Sequence, residues 1–159
     1  MSVVTLDIGQ LRITRSVIQQ IEQTIGLYPP ECGGILGAKE DGIISEFYFD
    51  RLGESSSEGY SPDVESINSI LINDWMPRGI YMVGIVHSHS QELYALSCGD
   101  IRYGIQILQA LDTVDAFYLP VVTVSLQRMI LHPYVVYSKK PADVICKSIP
   151  LTIVDFSIS

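Results

Sequence analysis

The feature that most constrains this chain is a short apolar run that leads into two histidines. Residues 83–86 (Val-Gly-Ile-Val) have the composition of a fully buried β-strand, and His87-Ser88-His89 follows directly. Alternate residues of a strand point to the same face, so His87 and His89 are predicted to project together. The pattern therefore directs two imidazoles at one point.

A carboxylate follows at a spacing that can complete this group. Asp100 lies eleven residues after His89, in a segment that looks like the start of a helix running to about Leu111. Two histidines and one aspartate leave the fourth position of a tetrahedral zinc ion open for water, which is the arrangement of a catalytic zinc site. Glu31, far upstream and directly before a Gly-rich apolar segment, is the candidate for taking a proton from that water.

These residues resemble the JAMM motif of the JAB/MPN metalloproteases. In that family a Glu at the head of an early strand is followed by His-Ser/Thr-His, seven residues, Ser, two residues and Asp. The chain matches this pattern without a gap at Glu31, His87-Ser88-His89, Ser97 and Asp100. It departs from the family at Ser90, where Pro usually follows the second His, and this difference concerns the loop over the site more than the ligands.

The resemblance implies a zinc-dependent peptidase or isopeptidase. Zinc (Zn2+) is expected at His87, His89 and Asp100, with Glu31 assisting the attack of zinc-bound water and Ser97 stabilising the tetrahedral oxyanion. The implied partner is a ubiquitin-like or sulfur-carrier protein, cleaved at an amide of its extended C-terminal tail. The compact chain is more similar to the stand-alone prokaryotic members than to members with insertions around the core.

Simpler interpretations exist for each of these residues. A His in an apolar strand is usually a satisfied core residue, and Glu31 could be a solvated residue at a strand end. Ser97 and Asp100 also fit a capping box at a helix start, in which Ser97 is only the N-cap. Cys98 is either a small helix residue or a thiolate that competes for the metal. The alternative functions are a small-substrate metallo-amidase or cell-wall peptidase, and a non-catalytic MPN scaffold module.

Composition favours one soluble domain over residues 1–159. Hydrophobic residues make up 47% of the chain and charged residues 18%, which argues against disorder. No segment has the roughly 18 consecutive apolar residues of a membrane span, and none resembles a signal peptide, so a cytoplasmic protein without membrane contact is expected. The three cysteines form no CxxC pair, which favours reduced thiols. A net charge of −8 opposes binding to nucleic acid.

The periodicity predicts an α+β fold, and the resemblance implies the JAB/MPN form of it, a β-sheet flanked by helices. Besides the strand that carries His87, strands are expected at Val3–Ile8, Gly33–Ala38, Ile43–Phe49, Phe117–Ser125, Met129–Tyr137 and Ile149–Ile158. Besides the helix near Asp100, helices are expected from Arg15 to about Ile25, capped by Thr14, and from Val64 to Trp75. Asp41-Gly42 predicts a hairpin turn. The polar run from Arg51 to Asp63 predicts a mobile loop that orders only when substrate binds.

Overall fold

The computed structural model describes residues 4–27, 31–56, 59–89, 94–126, 128–140 and 143–155. Within them the chain is an α+β domain, a mixed β-sheet against which helices pack. The α-helices are α1 (Arg15–Gln23), α2 (Val64–Ile70) and α3 (Cys98–Ala110). The strands are β1 (Leu11–Thr14), β2 (Gly33–Ala38), β3 (Ile44–Phe49), β4 (Glu54–Ser56), β5 (Gly59–Ser61), β6 (Tyr81–Ser88), β7 (Ala116–Tyr118), β8 (Val121–Ser125), β9 (Arg128–His132), β10 (Tyr134–Lys140), β11 (Asp143–Ser148) and β12 (Leu151–Val154). No helix among the described residues is both long and apolar enough to cross a membrane.

The main sheet forks beside β6. Its strands follow the order β11-β10-β7-β6-β2-β3-β1-β12, and β8 pairs with β6 and β9 outside this order. Both β7 and β8 run parallel to β6, with Gly84 opposite Tyr118 and His87 opposite Val121. The break between them contains Pro120, which has no N–H for a ladder bond. The sheet therefore divides into a β7-β10-β11 branch and a β8-β9 branch where β6 reaches its histidines.

Both faces of β6 are covered, which explains why its residues 83–86 are all apolar. Val86 packs on one face in a core that includes Val17 of α1. Ile85 packs on the opposite face in a core that includes Trp75 and Phe117. The next side chain on that second face is the imidazole of His87, because side chains alternate along a strand.

The predicted hairpin at Asp41-Gly42 is confirmed. Gly42 has a φ of +74°, a conformation that glycine adopts without strain, and β2 and β3 pair antiparallel on either side of the turn. The start of α1 is confirmed as well, because Thr14 Oγ1 accepts a hydrogen bond from Val17 N at 3.2 Å. The helix predicted from Val64 to Trp75 is α-helical to Ile70 and continues as a π-helical turn.

The predicted edge strand at Val3–Ile8 is wrong for its described part. Val4 makes an isolated bridge with Val114, and the first strand is β1, parallel to both β3 and β12. Only Leu151–Val154 of the strand predicted at Ile149–Ile158 is present as β12, and residues 156–158 lie outside the described residues. The pairing of β1 with β12 joins residues near the two ends of the chain, so no local sequence pattern predicts it.

Other differences occur where polar residues or prolines interrupt the pattern. The run from Arg51 to Asp63, predicted as a mobile loop, contains the hairpin β4-β5, so the prediction of a loop is wrong. Its ordering by substrate stays a prediction. The strand predicted at Phe117–Ser125 is divided at Leu119-Pro120, and the one predicted at Met129–Tyr137 is divided at Pro133. The strand β11 has no counterpart among the predictions, and it pairs antiparallel with β10.

Candidate metal site and its cleft

The two histidines lie at the end of β6, on the face that α2 and α3 cover. His87 is the register partner of Gly33 in β2 and of Val121 in β8, and His89 N donates to Val122 O at 2.9 Å. Their Nε2 atoms are 2.8 Å apart, and their side chains are only 9% and 10% exposed. The structure thus brings the two imidazoles together, as the alternation along the strand predicts.

The first turn of α3 brings Asp100 to the same point. Its Oδ1 lies 3.3 Å from His87 Nε2, and its Oδ2 lies 3.1 Å from His89 Nε2. Burial raises the pKa of the Asp100 carboxyl, but the hydrogen bonds with both imidazoles and with Ser97 N outweigh burial and place this pKa well below its ordinary value. The carboxylate is therefore ionised, as a metal ligand must be.

These three side chains can hold a metal ion. One ligand atom from each of His87, His89 and Asp100 lies within 4.8 Å of the other two. Imidazole nitrogen and carboxylate oxygen suit zinc and other first-row divalent metals, and three protein ligands leave a position open for a substrate or water. Without a cation, the facing Nε2 atoms of His87 and His89 must share a proton. A bound cation would instead accept a lone pair from each of them. Cys98 is exposed and, among the described residues, is not part of this group.

Glu31 lines the same cleft from the β2 side. The next residue, Cys32, forms two hydrogen bonds with Ser88, which lies between the two histidines in the sequence. Cys32 N donates to Ser88 Oγ at 3.1 Å, and Ser88 N donates to Cys32 O at 3.0 Å. Glu31 has a φ of +36°, in the left-handed region, which costs a non-glycine residue roughly 1 kcal/mol. Such strain is concentrated at functional sites. Pro29-Pro30, directly before Glu31, lies outside the described residues.

Ser97 is the N-cap of α3. Its Oγ accepts a hydrogen bond from Asp100 N at 3.0 Å, and Ser97 N donates to Asp100 Oδ2 at 2.9 Å, which completes a capping box. The cap uses a lone pair of Oγ and leaves the hydroxyl hydrogen for another acceptor. Ser97 is exposed and lines the cleft, so the capping role and the predicted role as a donor are compatible.

The metal-ligand group opens into a cleft of about 800 Å³, which is within the range of ligand-binding sites. Ile85 and Leu119 line it together with the histidines, and α3 contributes Gly99 and Tyr103. Two further groups of lining residues are called the walls here: Tyr60, Ser61 and Pro62 form the first wall, and Tyr94 and Ala95 form the second. Each wall is held by a residue that the sequence does not single out.

The first wall is anchored by Asp50, which is only 2% exposed. Its Oδ2 accepts hydrogen bonds from Tyr60 Oη at 2.6 Å and from Asp63 N at 2.9 Å. The ring of Tyr60 lies so close to Gly33 that a Cβ there would be 2.6 Å from the ring. Burial and the bond to Asp50 raise the pKa of Tyr60 far above its ordinary value, so it remains a donor. A single Asp after an apolar strand is common, so no sequence signal marks Asp50.

The second wall is anchored by His132. Its Nε2 lies 2.9 Å from Thr123 Oγ1, and its ring stacks on Tyr94 with centroids 5.2 Å apart and an interplanar angle of 27°. Burial, together with the nearby charge of His89, lowers the pKa of His132. An isolated His in an amphipathic strand has no motif around it, so the sequence gives no reason to connect it with the metal site.

Comparison of the chain with protein-family models finds no match, and no curated protein matches it. Among solved structures, the chain is similar to the solution structure of protein DSY2949 from Desulfitobacterium hafniense. The TM-score is 0.64 at 16% sequence identity, over 92% of this chain and 94% of that chain. At this identity the similarity shows a shared fold over nearly the whole length.

Proposed function

We propose that this chain is a zinc-dependent peptidase or isopeptidase of the JAB/MPN type. The observation that carries the proposal is that His87, His89 and Asp100 converge in a cleft that Glu31 and Ser97 also line. The motif was defined by sequence spacing alone, and Glu31 and His87 are separated by more than fifty residues of chain. Their presence in one cleft is what a catalytic site requires and what a chance match to the pattern does not require.

The ligand set suits a catalytic zinc ion. His87 and His89 would bind it through Nε2, and the ionised carboxylate of Asp100 would supply the anionic ligand. A zinc ion bound there would polarise the scissile carbonyl and lower the pKa of water to near 7. The ladder bonds of β6 and the capping box of α3 hold these ligands in place without the ion, so the site is pre-organised.

Two further residues supply proton transfer and charge stabilisation in this proposal. Glu31 takes a proton from the attacking water and returns it to the leaving amine. Its strained backbone, adjacent to the Cys32–Ser88 bonds, restricts where the carboxylate points. Ser97 donates its hydroxyl hydrogen to the oxyanion that develops on the carbonyl. A donor held by a helix cap reorganises little during the reaction, which is the property that makes such stabilisation effective.

The proposed substrate is the extended C-terminal tail of a ubiquitin-like or sulfur-carrier protein. The motif resemblance supports this class, and the cleft of about 800 Å³ is large enough for a segment of peptide chain. The JAB/MPN form of the α+β fold belongs to the same proposal.

The test is cleavage of a panel of ubiquitin-like and sulfur-carrier proteins, each carrying a C-terminal peptide extension. Zinc-loaded protein should release the extension from at least one of them, as measured by intact mass. A chelator should stop the reaction, added zinc should restore it, and Glu31→Gln should lack it. If a small amide is hydrolysed and no protein is cleaved, the chain is a metallo-amidase. If zinc-loaded protein cleaves nothing, the proposal of a peptidase is wrong.

A further inference from the structure

His132, the third histidine of the chain, lies in line with the metal site and is not one of the three ligands. His87 in β6 is opposite Val121 in β8, and Val121 is opposite His132 in β9. Directly opposed residues of paired strands project from the same face, so this row places His132 on the face that carries the cleft. Its Nε2 is engaged by Thr123, a residue only 4% exposed, and this contact fixes the imidazole.

Tyr94 is held by both branches of the forked sheet. Its ring stacks on His132 of β9, and its backbone oxygen accepts a hydrogen bond from Tyr134 Oη of β10 at 2.8 Å. Tyr94 nevertheless remains 60% exposed, because His132 covers only one face of its ring. The cleft wall therefore presents a flat aromatic surface whose position is fixed by its neighbours.

We propose that the exposed face of Tyr94 is a binding surface for an extended peptide, and that His132 is the positioning residue that holds it. The peptide as ligand rests on the proposed function. A tyrosine supplies a large apolar surface at low cost in conformational entropy, and fixing its ring before binding lowers that cost further. The surface selects substrates by the peptide side chain that packs on Tyr94 near the metal site. It takes no part in bond cleavage.

The test measures peptide binding without turnover. The probes are fluorescein-labelled peptides that copy the tails of the ubiquitin-like and sulfur-carrier panel, and the parent protein is zinc-loaded Glu31→Gln. Tyr94→Ala should raise the Kd by roughly 3- to 10-fold, which is the effect of losing an aromatic stack. Tyr94→Phe keeps the ring and should bind within about twofold of the parent. Leu126→Ala, at the 95% exposed tip of the same β8-β9 hairpin as His132, is the control and should bind like the parent.

A positioning role for His132 predicts a specific pattern in the same assay. His132→Ala should weaken binding, His132→Phe should retain it by keeping a flat ring under Tyr94, and zinc content should be unchanged in both. The double variant Tyr94→Ala with His132→Ala should bind no more weakly than Tyr94→Ala, because His132 acts through Tyr94. Additive losses, or loss of zinc from His132→Ala, would overturn this role.

The outcomes separate this inference from the proposed function. Peptides that bind in the pattern above but are never cleaved by the wild-type protein support the binding surface and contradict the peptidase. Cleavage by the wild-type protein together with an unchanged Kd in Tyr94→Ala supports the peptidase and contradicts the surface. If none of the tail peptides binds to the parent protein, Tyr94 is not a peptide-binding surface.

Discussion

Ser97 and Asp100 each combine a structural bond with a proposed chemical role. Ser97 Oγ caps α3, while the carboxylate of Asp100 bonds back to Ser97 N and contacts both imidazoles. A substitution at either position therefore changes the stability of the helix start and the chemistry of the site together. Separating these effects requires a second helix cap that lies away from the cleft, and Thr14 of α1 provides it.

Ser97→Ala and Thr14→Ala form a matched pair. Each should lower the free energy of unfolding by about 1 kcal/mol, because each removes an N-cap oxygen. Only Ser97→Ala should lower kcat, by roughly 10²- to 10³-fold with little change in KM, because the donor acts mainly in the transition state. Thermal unfolding and steady-state kinetics on both variants measure this. Equal turnover in the two variants would show that Ser97 is only a cap.

Glu31→Gln tests the general base without removing the side chain. The amide has nearly the same shape as the carboxylate but does not accept the proton, so turnover should fall by roughly 10²- to 10⁴-fold. Zinc content should not change, because Glu31 is not a ligand in this proposal. The melting temperature should also stay close to that of the wild type, because the positive φ at this position costs Gln about as much as it costs Glu. Turnover equal to that of the wild type would end the mechanism.

At the scale of secondary-structure elements, the β4-β5 hairpin depends on Asp50. The run around it is polar, so little apolar burial holds it, and one carboxylate oxygen accepts from both Tyr60 and Asp63. Asp50→Ala removes this acceptor and leaves the two donors, Tyr60 Oη and Asp63 N, without it in a partly buried place. A cost of about 1–3 kcal/mol is usual for such a change.

The resulting prediction concerns local opening of this hairpin. Asp50→Ala should be cleaved faster by a broad-specificity protease between Arg51 and Asp63, as located by mass spectrometry, while zinc content stays the same. Tyr60→Phe removes one of the two bonds and should show an intermediate rate. If Asp50→Ala and the wild type are cleaved at the same rate, the carboxylate does not hold the hairpin.

The elements that could be predicted are those specified by neighbouring residues. The turn at Asp41-Gly42 sets the register of β2 and β3, and the apolar run before His87 identifies β6. The parallel pairing of β1 with β12 is different, because it depends on residues from opposite ends of the chain. Neither short strand has enough periodicity to be recognised without its partner.

The candidate site divides in the same way. The group that could hold a metal has a fixed sequence spacing, because β6 and the first turn of α3 set the positions of His87, His89 and Asp100 locally. The walls of the cleft have no such spacing. Asp50 meets Tyr60, and His132 meets Tyr94, only after the sheet and its fork have formed. Residues of these types are too common in strands and loops for their role to be inferred without the fold.

At the scale of the whole molecule, the candidate metal site lies at the end of β6, next to one of the two apolar cores, and its three candidate ligands belong to neither core. Val86 and Ile85 belong to those cores, and the three candidate ligands follow them along the chain. The sheet and helices are therefore held mainly by apolar burial that does not involve a metal ion. This arrangement differs from that of small zinc domains, which unfold when the metal is removed.

The protein is accordingly expected to bind close to one zinc ion per chain and to stay folded without it. His87→Ala and Asp100→Asn should each lose the metal, and Asp100→Asn keeps an oxygen for the capping box. Metal analysis and far-UV circular dichroism on the purified variants measure the two properties. Added zinc should raise the melting temperature of the wild type, because an ion that binds only the folded state stabilises it, and should not raise that of either variant. Zinc retained in both variants would contradict the ligand assignment, and an unfolded zinc-free wild type would contradict the independence of the two cores from the metal.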